Sequence, residues 1–420
     1  MIEIAETEEI LRIASKGDGV TASGRFAWGA APGDLLRGDG TLEWGPHHVE
    51  PPCKHFGRCG GCQLQQLDEP SLTQFVEARV ANASSSHDLG ALEIAPPHLS
   101  PPMTRRRASL RAESSGGRIV IGFREAKSHR LVEIEECHVL APELTALIGP
   151  LRRLLIVMGK AAPLKKGGRP GARHQQPRMA VDIEMTLAEQ GVDVGVKGLT
   201  TEGLAATEAM LDFAQRHGLA RLTMDGGYGY ETVWEPEPVT VRLGEVSVPL
   251  PPGAFLQATL DAQELLSAAA REWLAGAATV ADLFSGLGTF AFALAGPQTK
   301  VLAAEAARDA HLACKAAADR AQLPVFAMHR DLFRNPLQPD ELDKFAAVLL
   351  DPPRAGAREQ VEAIAASSIG RVVYISCNPS SWSRDAARLI EAGFRLEHLR
   401  PVGQFRWSTH VELASYFVRD

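Results

Sequence analysis

Three short segments near the C-terminal end carry residue types able to do covalent chemistry: Asp351-Pro352-Pro353-Arg354, Ser376-Cys377-Asn378-Pro379 and His410-Val411-Glu412. A thiolate can add to an electron-poor carbon and leave again, and a carboxylate can take up the proton such a cycle must shed. Cys377 and Glu412 are the candidates for these two duties. A cysteine behind a buried strand is ordinarily an inert small hydrophobe, and Cys314, in an Ala-rich helix expected over 309–320, is read that way. At Cys377 the following Asn378-Pro379 changes the reading. Proline ends the strand and holds the residue before it away from helix, so the thiol sits at a strand-to-loop edge. Glu412 reaches the same place only if the segment before the last strand folds over it.

The elements that must position these groups are apolar runs at 279–284, 300–304, 325–328, 346–350, 372–376 and 416–419, separated by helical and turn segments. That alternation predicts a doubly wound α/β unit with a mostly parallel sheet, whose strand carboxyl ends form a ligand crevice. Asp282-Leu283-Phe284-Ser285-Gly286-Leu287-Gly288-Thr289-Phe290 puts glycines between the first strand and a helix, where main chain can approach a ligand closely. The third glycine of the dinucleotide fingerprint is missing. Glu305, 17 residues after Gly288, ends the next strand, where a carboxylate can bridge ribose hydroxyls. Asp331 follows the third strand, where an adenine amino group could be met. The set fits an S-adenosylmethionine site; a generic nucleotide-binding turn is the plainer alternative.

Upstream the pattern differs. Residues 1–50 alternate short apolar stretches with Gly17-Asp18-Gly19, Gly33-Asp34 and Gly38-Asp39-Gly40, which predicts a small β-barrel. A helix over 72–83 capped by Ser71, a β-meander over 107–140 turning at Ser114-Ser115-Gly116-Gly117, and a loop over 160–177 are expected next. Further strands are expected at 179–187, 192–196 and 239–248, then an Ala-rich helix over 260–274. Three units follow: a barrel (1–50), a β-rich middle (51–250) and the α/β unit (251–420). Cys53, Cys59 and Cys62 cluster within ten residues, with Cys137 the candidate fourth. Four thiolates suit zinc or an iron–sulfur cluster. Three-plus-one spacing favours the cluster, and free thiols are the plain alternative. A structural role, or one in binding the substrate, is expected of it rather than redox catalysis, since a thiolate and a carboxylate need no electron.

At 45% hydrophobic and 23% charged residues, the chain has the composition of a soluble globular protein. No apolar run approaches the roughly 20 residues of a membrane span. With an acidic start and no signal pattern, a cytoplasmic monomer is expected. The net charge is −7, yet residues 101–180 hold sixteen Lys/Arg against six Glu and no Asp. Phosphate contacts need such local positive potential rather than a basic protein.

Taken together, Phe255-Leu256-Gln257, the segment 282–290, Asp351-Pro352-Pro353-Arg354, the segment 374–379 and His410-Val411-Glu412 stand in the order seen in the RNA uracil-5 methyltransferase family, which this chain resembles over most of 8–420. Pro51-Pro52-Cys53-Lys54-His55-Phe56-Gly57-Arg58-Cys59-Gly60-Gly61-Cys62 extends the likeness, and Gly17-Asp18-Gly19-Val20 with Ala31-Pro32-Gly33-Asp34 resembles a shortened TRAM-type module. The resemblance implies a class I methyltransferase domain with Cys377 as nucleophile and Glu412 as proton acceptor. It implies S-adenosylmethionine contacts from Gln257, Phe284, Thr289, Glu305 and Asp331, with Asp351 where cofactor and base meet. It implies a 4Fe-4S cluster on Cys53, Cys59, Cys62 and Cys137, and an RNA substrate, 23S rRNA ahead of tRNA. The chemistry is coherent. C5 of uracil is a poor nucleophile until a thiolate adds at C6, and a base must then remove the C5 proton; the target base must be flipped out or unpaired. The chain departs from the family at Thr259 and Thr289, where Asn is usual, and at Gly403-Gln404-Phe405-Arg406-Trp407-Ser408, where Asp-x-Phe-Pro is usual. An amino-methyltransferase with a D-P-P-aromatic loop, a cytosine-5 methyltransferase and a non-catalytic RNA-binding factor are the competing readings.

Overall fold

The computed structural model describes every residue except 1–6, 91–92, 116–117, 127, 162–178 and 201–202. The loop expected over 160–177 and the tip of the turn at Gly116-Gly117 thus fall largely outside the described residues. An eight-stranded sheet dominates the C-terminal part. Its order is Val325–His329, Lys300–Glu305, Thr279–Leu283, Ala347–Leu350, Arg371–Ser376, Glu412–Val418, Arg395–Gly403 and His98–Leu99. The first five are parallel, and the inner ones read as near-continuous apolar runs because helices cover both faces. The chain enters at the sheet's centre, winds outward, then crosses back to Ala347–Leu350. The crevice between Thr279–Leu283 and Ala347–Leu350 is therefore the topological switch point, where such sheets bind ligands.

Glu412–Val418 runs antiparallel to both of its neighbours. It starts four residues earlier than the run 416–419 suggested, so Glu412 is its first residue. No segment has to fold over the crevice. The strand Arg395–Gly403 was not foreseen; its charged, largely exposed first half hides the pattern. Two sequence-distant pieces also pack here, the edge strand His98–Leu99 and a helix before it. The helix Glu69–Ser85 sends Leu72, Phe75, Val76 and Val80 into the same core as Tyr374 and Trp382. Asp68, not Ser71, caps that helix, accepting a hydrogen bond from the Ser71 amide at 2.9 Å.

The middle of the chain forms a seven-stranded mixed sheet whose central strands are Arg107–Ser115, Ala180–Ala188 and Gly191–Lys197. Helices Pro142–Ala161 and Leu204–Arg216, neither anticipated, bury Leu144, Leu151, Leu155, Met210 and Phe213 against the strands' apolar residues. The stretch 239–248 is a hairpin of Thr240–Leu243 and Val246–Pro249 rather than one strand. At the front, five short strands form a curled sheet around Ile10, Ala27, Ala30 and Leu36. Among the described residues no helix is long and apolar enough to cross a membrane.

Candidate active site and cysteine cavity

Cys377 lies between the end of strand Arg371–Ser376 and the helix Pro379–Glu391, whose N-cap is Asn378. Asn378 has an extended backbone, Pro379 opens the helix, and the Asn378 side chain accepts from the Ser380 amide at 3.2 Å. Ser376 pairs with Leu413 in the antiparallel ladder. Continued by one residue, that register sets Cys377 opposite Glu412, so a thiol and a carboxylate from segments 35 positions apart meet at one strand end. Asp351 follows the strand Ala347–Leu350 at the same edge.

Electrostatics here are those of a desolvated acidic site. Burial pushes the Glu412 carboxyl up to about 8, helped by the Asp351 charge; a hydrogen bond from Gln404 and the Arg105 guanidinium act against this. Burial alone carries Asp351 to about 7. The Cys377 thiol is pushed up to about 11 by burial and by Glu412 and Asp351, with Arg354 opposing. Arg354 is anchored nearby: its guanidinium donates to His410 Nδ1 and its carbonyl accepts from Asn378 Nδ2 at 2.9 Å. The cation that favours the thiolate is thus tied to the loops on either side of the cysteine.

The glycine-rich turn sits one strand away. Phe284 takes a left-handed backbone, φ 64°, a conformation costing a non-glycine residue about 1–2 kcal/mol and typical of functional turns. Its ring tilts against Phe333 at 5.3 Å. Gly288 (φ +90°) is the N-cap of the short helix starting at Thr289, and a Cβ there would lie 2.8 Å from Cys314 Sγ and from the Phe292 ring. Cys314 is therefore buried packing behind the turn. Glu305 Oε2 accepts from the Gly286 amide at 2.9 Å, tying the ribose-distance carboxylate to the turn. Asp331 accepts from the amides of Phe333 and Arg334 at 3.0 and 3.3 Å. Asp282 is wholly buried with both carboxylate oxygens unpartnered, as is Ser285 Oγ; burial and the Asp351 and Glu305 charges hold the Asp282 carboxyl well above the usual range. Orphaned polar atoms beside a glycine cradle suit a polar ligand with an adenosyl and an amino-acid end. Gln257, from the loop before helix Leu260–Trp273, donates to Asp351 Oδ2 at 3.2 Å. Thr259 is that helix's N-cap and bonds to Ser100 Oγ at 2.9 Å.

Comparison with known proteins decides the family. Residues 253–420 match the family model of tRNA (uracil-5-)-methyltransferases. An uncharacterised RNA methyltransferase of Zymomonas mobilis is 47% identical over 98% of this chain and 100% of its own length. The 23S rRNA (uracil(1939)-C(5))-methyltransferase RlmD of Pectobacterium atrosepticum is 32% identical, over 89% of this chain and 81% of its own. The chain belongs to the RNA uracil-5 methyltransferase family. It is an RNA-modifying enzyme. Its fold is also that of the Pyrococcus abyssi tRNA (uracil-54, C5)-methyltransferase solved with S-adenosyl-L-homocysteine: TM-score 0.75 at 21% identity, covering 98% of this chain and 99% of the other.

In this family member the four clustered cysteines also converge. Cys53, Cys59, Cys62 and Cys137 line one cavity of about 290 Å³, and all four are free thiols. The loop is strapped to the middle sheet: Gly60 donates to the Arg124 carbonyl at 2.9 Å, and the Lys54 amide to Glu136 at 2.9 Å. Burial raises Cys53 and Cys59 and carries Cys62 to about 12. Among the described residues, no group of three or more His, Cys, Asp or Glu closes to a ready metal-ion geometry. Phe405, Ser408 and His410 form part of the same cavity's wall, so the segment leading to Glu412 separates the two sites.

The basic stretch is not one solvated surface. Arg106 is buried, its Nε donating to the Gln257 carbonyl at 3.1 Å and its NH2 to Gln263 at 2.6 Å; Arg111, Arg118 and Arg152 are paired with carboxylates. Two site residues escaped the sequence reading. Arg105 was counted only as charge, although it lies between the cysteine cavity and Glu412. Gln404 stood in a divergent segment, where an amide carries no chemical signal of its own.

Proposed function

We propose that this enzyme methylates C5 of a uridine in 23S rRNA through a covalent adduct between Cys377 and C6. The observation that carries this reading is the ladder register that sets Cys377 opposite Glu412, beside Asp351 and one strand from the glycine cradle. S-adenosylmethionine, when bound, supplies the electrophilic methyl group. Gln257, Phe284, Thr289, Glu305, Asp331 and Asp351 would hold it. Cys377 attacks C6 as thiolate, aided by Arg354 and by the partial positive charge at its helix N-terminus. C5 then carries the nucleophilic electron pair. Once C5 is methylated, Glu412 takes the C5 proton and the C6–S bond breaks, restoring the thiolate. Burial lifts Glu412 to about 8, so it is a strong acceptor once ionised, and its ionised fraction grows as pH rises toward 8.

The 23S rRNA assignment rests on the RlmD relative, whose likeness runs over 89% of the chain. A tRNA substrate is the second reading, favoured by the family model that matches the catalytic part. A 4Fe-4S cluster on Cys53, Cys59, Cys62 and Cys137 accounts for four thiols around one cavity. We assign residues 1–50 to a TRAM-like RNA-binding module, 51–250 to the cysteine-bearing unit, whose helix Glu69–Ser85 and strand His98–Leu99 dock on the C-terminal sheet, and 251–420 to methyl transfer, in a cytoplasmic monomer. The test is base-resolution mapping of 5-methyluridine in rRNA and tRNA of a deletion strain, complemented with wild type or Cys377→Ala. One missing 23S site restored only by wild type supports the reading. Restoration by Cys377→Ala overturns the mechanism, and a missing tRNA site overturns the substrate.

A further inference from the structure

We infer that Gln404 is a positioning residue for methyl transfer, one buried amide that orients Gln257 on the cofactor side and Glu412 on the base side. The inference rests on the reading above, which gives those two residues their duties.

Gln404 follows the strand Arg395–Gly403 and is 1% exposed. Its Oε1 accepts from the Ala258 amide at 2.9 Å. Its Nε2 donates to Gln257 Oε1 at 2.9 Å, and Gln257 Nε2 donates onward to Asp351 Oδ2 at 3.2 Å. The direction of this relay is forced. A backbone N–H can only donate, so the oxygen of Gln404 must face Ala258 and its nitrogen must face Gln257. Gln257 then turns its own oxygen inward and can offer only its nitrogen to Asp351. Gln404 is also the neighbour whose hydrogen-bonding influence holds the Glu412 carboxyl down against burial, and Glu412 Oε2 is buried with no partner of its own.

The backbone of the Gln257 loop has a separate anchor. Arg106 donates from its amide to the Ala258 carbonyl at 2.9 Å and from Nε to the Gln257 carbonyl at 3.1 Å. Gln404 is therefore free to govern side-chain orientation while Arg106 holds the main chain. Around Glu412 the other charged or titratable groups are Asp351, Cys377 and Arg105; none of them can donate to Gln257 and Glu412 together while accepting from Ala258. A residue that merely filled space here would be replaced without loss by an unbranched side chain of equal length.

Gln404→Met keeps length and removes the relay; Gln404→Glu keeps shape and turns a donor into an acceptor facing Gln257. Purified full-length variants are assayed for kcat and KM with S-adenosylmethionine and substrate RNA across pH, with Cys377→Ala alongside. We expect the KM for S-adenosylmethionine to rise about three- to tenfold in Gln404→Met, as loss of one buried hydrogen bond implies. We expect the rising limb of the pH profile to move to higher pH, further in Gln404→Glu than in Gln404→Met. Unchanged KM and an unmoved limb in Gln404→Met overturn the inference, and so does a fall in kcat alone, the mark of a smaller folded fraction. Should Gln404→Glu misfold, Gln404→Met decides. An active Cys377→Ala would instead sink the underlying mechanism, whatever Gln404 does.

Discussion

Replacing Glu412 by Gln should both trap the reaction and remove a pH-dependent burden on the fold. Glu412 is 3% exposed, and burial lifts its carboxyl from 4.5 to about 8. The native state therefore binds this proton more tightly than the unfolded chain does. The sign follows from linkage: stability is undiminished below pH 4.5 and is lost as pH rises toward 8. At about 1.4 kcal/mol per tenfold, the loss between pH 5 and pH 8 is about 3–4 kcal/mol. Gln keeps the shape and does not titrate, so Glu412→Gln should gain on wild type by that amount across the interval. For a unit the size of the catalytic part, the melting midpoints should separate by an additional 6 °C or more, roughly, from pH 5 to pH 8. The same change removes the proton acceptor, which typically costs about 10²–10⁴ in rate. Attack by Cys377 does not need that acceptor, so radiolabelled RNA should migrate with the denatured Glu412→Gln protein. A constant midpoint difference from pH 5 to pH 8, together with undiminished turnover, would refute the reasoning at both its steps.

Turnover of wild type should rise with pH through about 8, as Glu412 must be charged to accept the proton; a flat profile from pH 6 to 9 under single-turnover conditions would contradict that. Gly288→Ala should lower stability by about 1–3 kcal/mol and weaken S-adenosylmethionine binding by calorimetry, because its Cβ meets Cys314 Sγ at 2.8 Å in a left-handed backbone. Anaerobically purified protein should contain iron and sulfide, both lost in Cys137→Ser; stoichiometric zinc would exclude the cluster. Arg221→Ala should cost about 3–5 kcal/mol, since it strands Asp193 from its bidentate partner at 2.9 and 2.7 Å, and an undiminished urea midpoint would show the pair to be dispensable.

The parallel strands were legible in the sequence because burial on both faces makes them continuous apolar runs, as in Ala347–Leu350. The turn around Gly286 and Gly288 and the cysteine edge before Pro379 were legible because glycine and proline carry backbone meaning by themselves. The last strand was misplaced at its start: Glu412 is a charged residue heading a buried strand, which hydrophobic pattern reads as loop. The helix Pro142–Ala161 was missed because Pro150 lies inside it, and proline in a helix interior is normally disruptive. What sequence could not supply was convergence. Cys137 reaches the other three cysteines through tertiary contacts such as those of Lys54, His55 and Gly60, and Gln404 becomes meaningful only when Gln257 and Glu412 lie on either side of it.

The central claim is that Cys377 bonds to the base during turnover. RNA carrying 5-fluorouridine tests it most directly, because the fluorine at C5 cannot leave as a proton and the adduct cannot resolve. Incubated with S-adenosylmethionine and such RNA, wild-type protein should yield a denaturation-resistant complex whose nucleotide maps by peptide mass spectrometry to Cys377, and Cys377→Ala should yield none. A complex mapped to another residue, or full methylation of ordinary RNA by Cys377→Ala, would contradict the account.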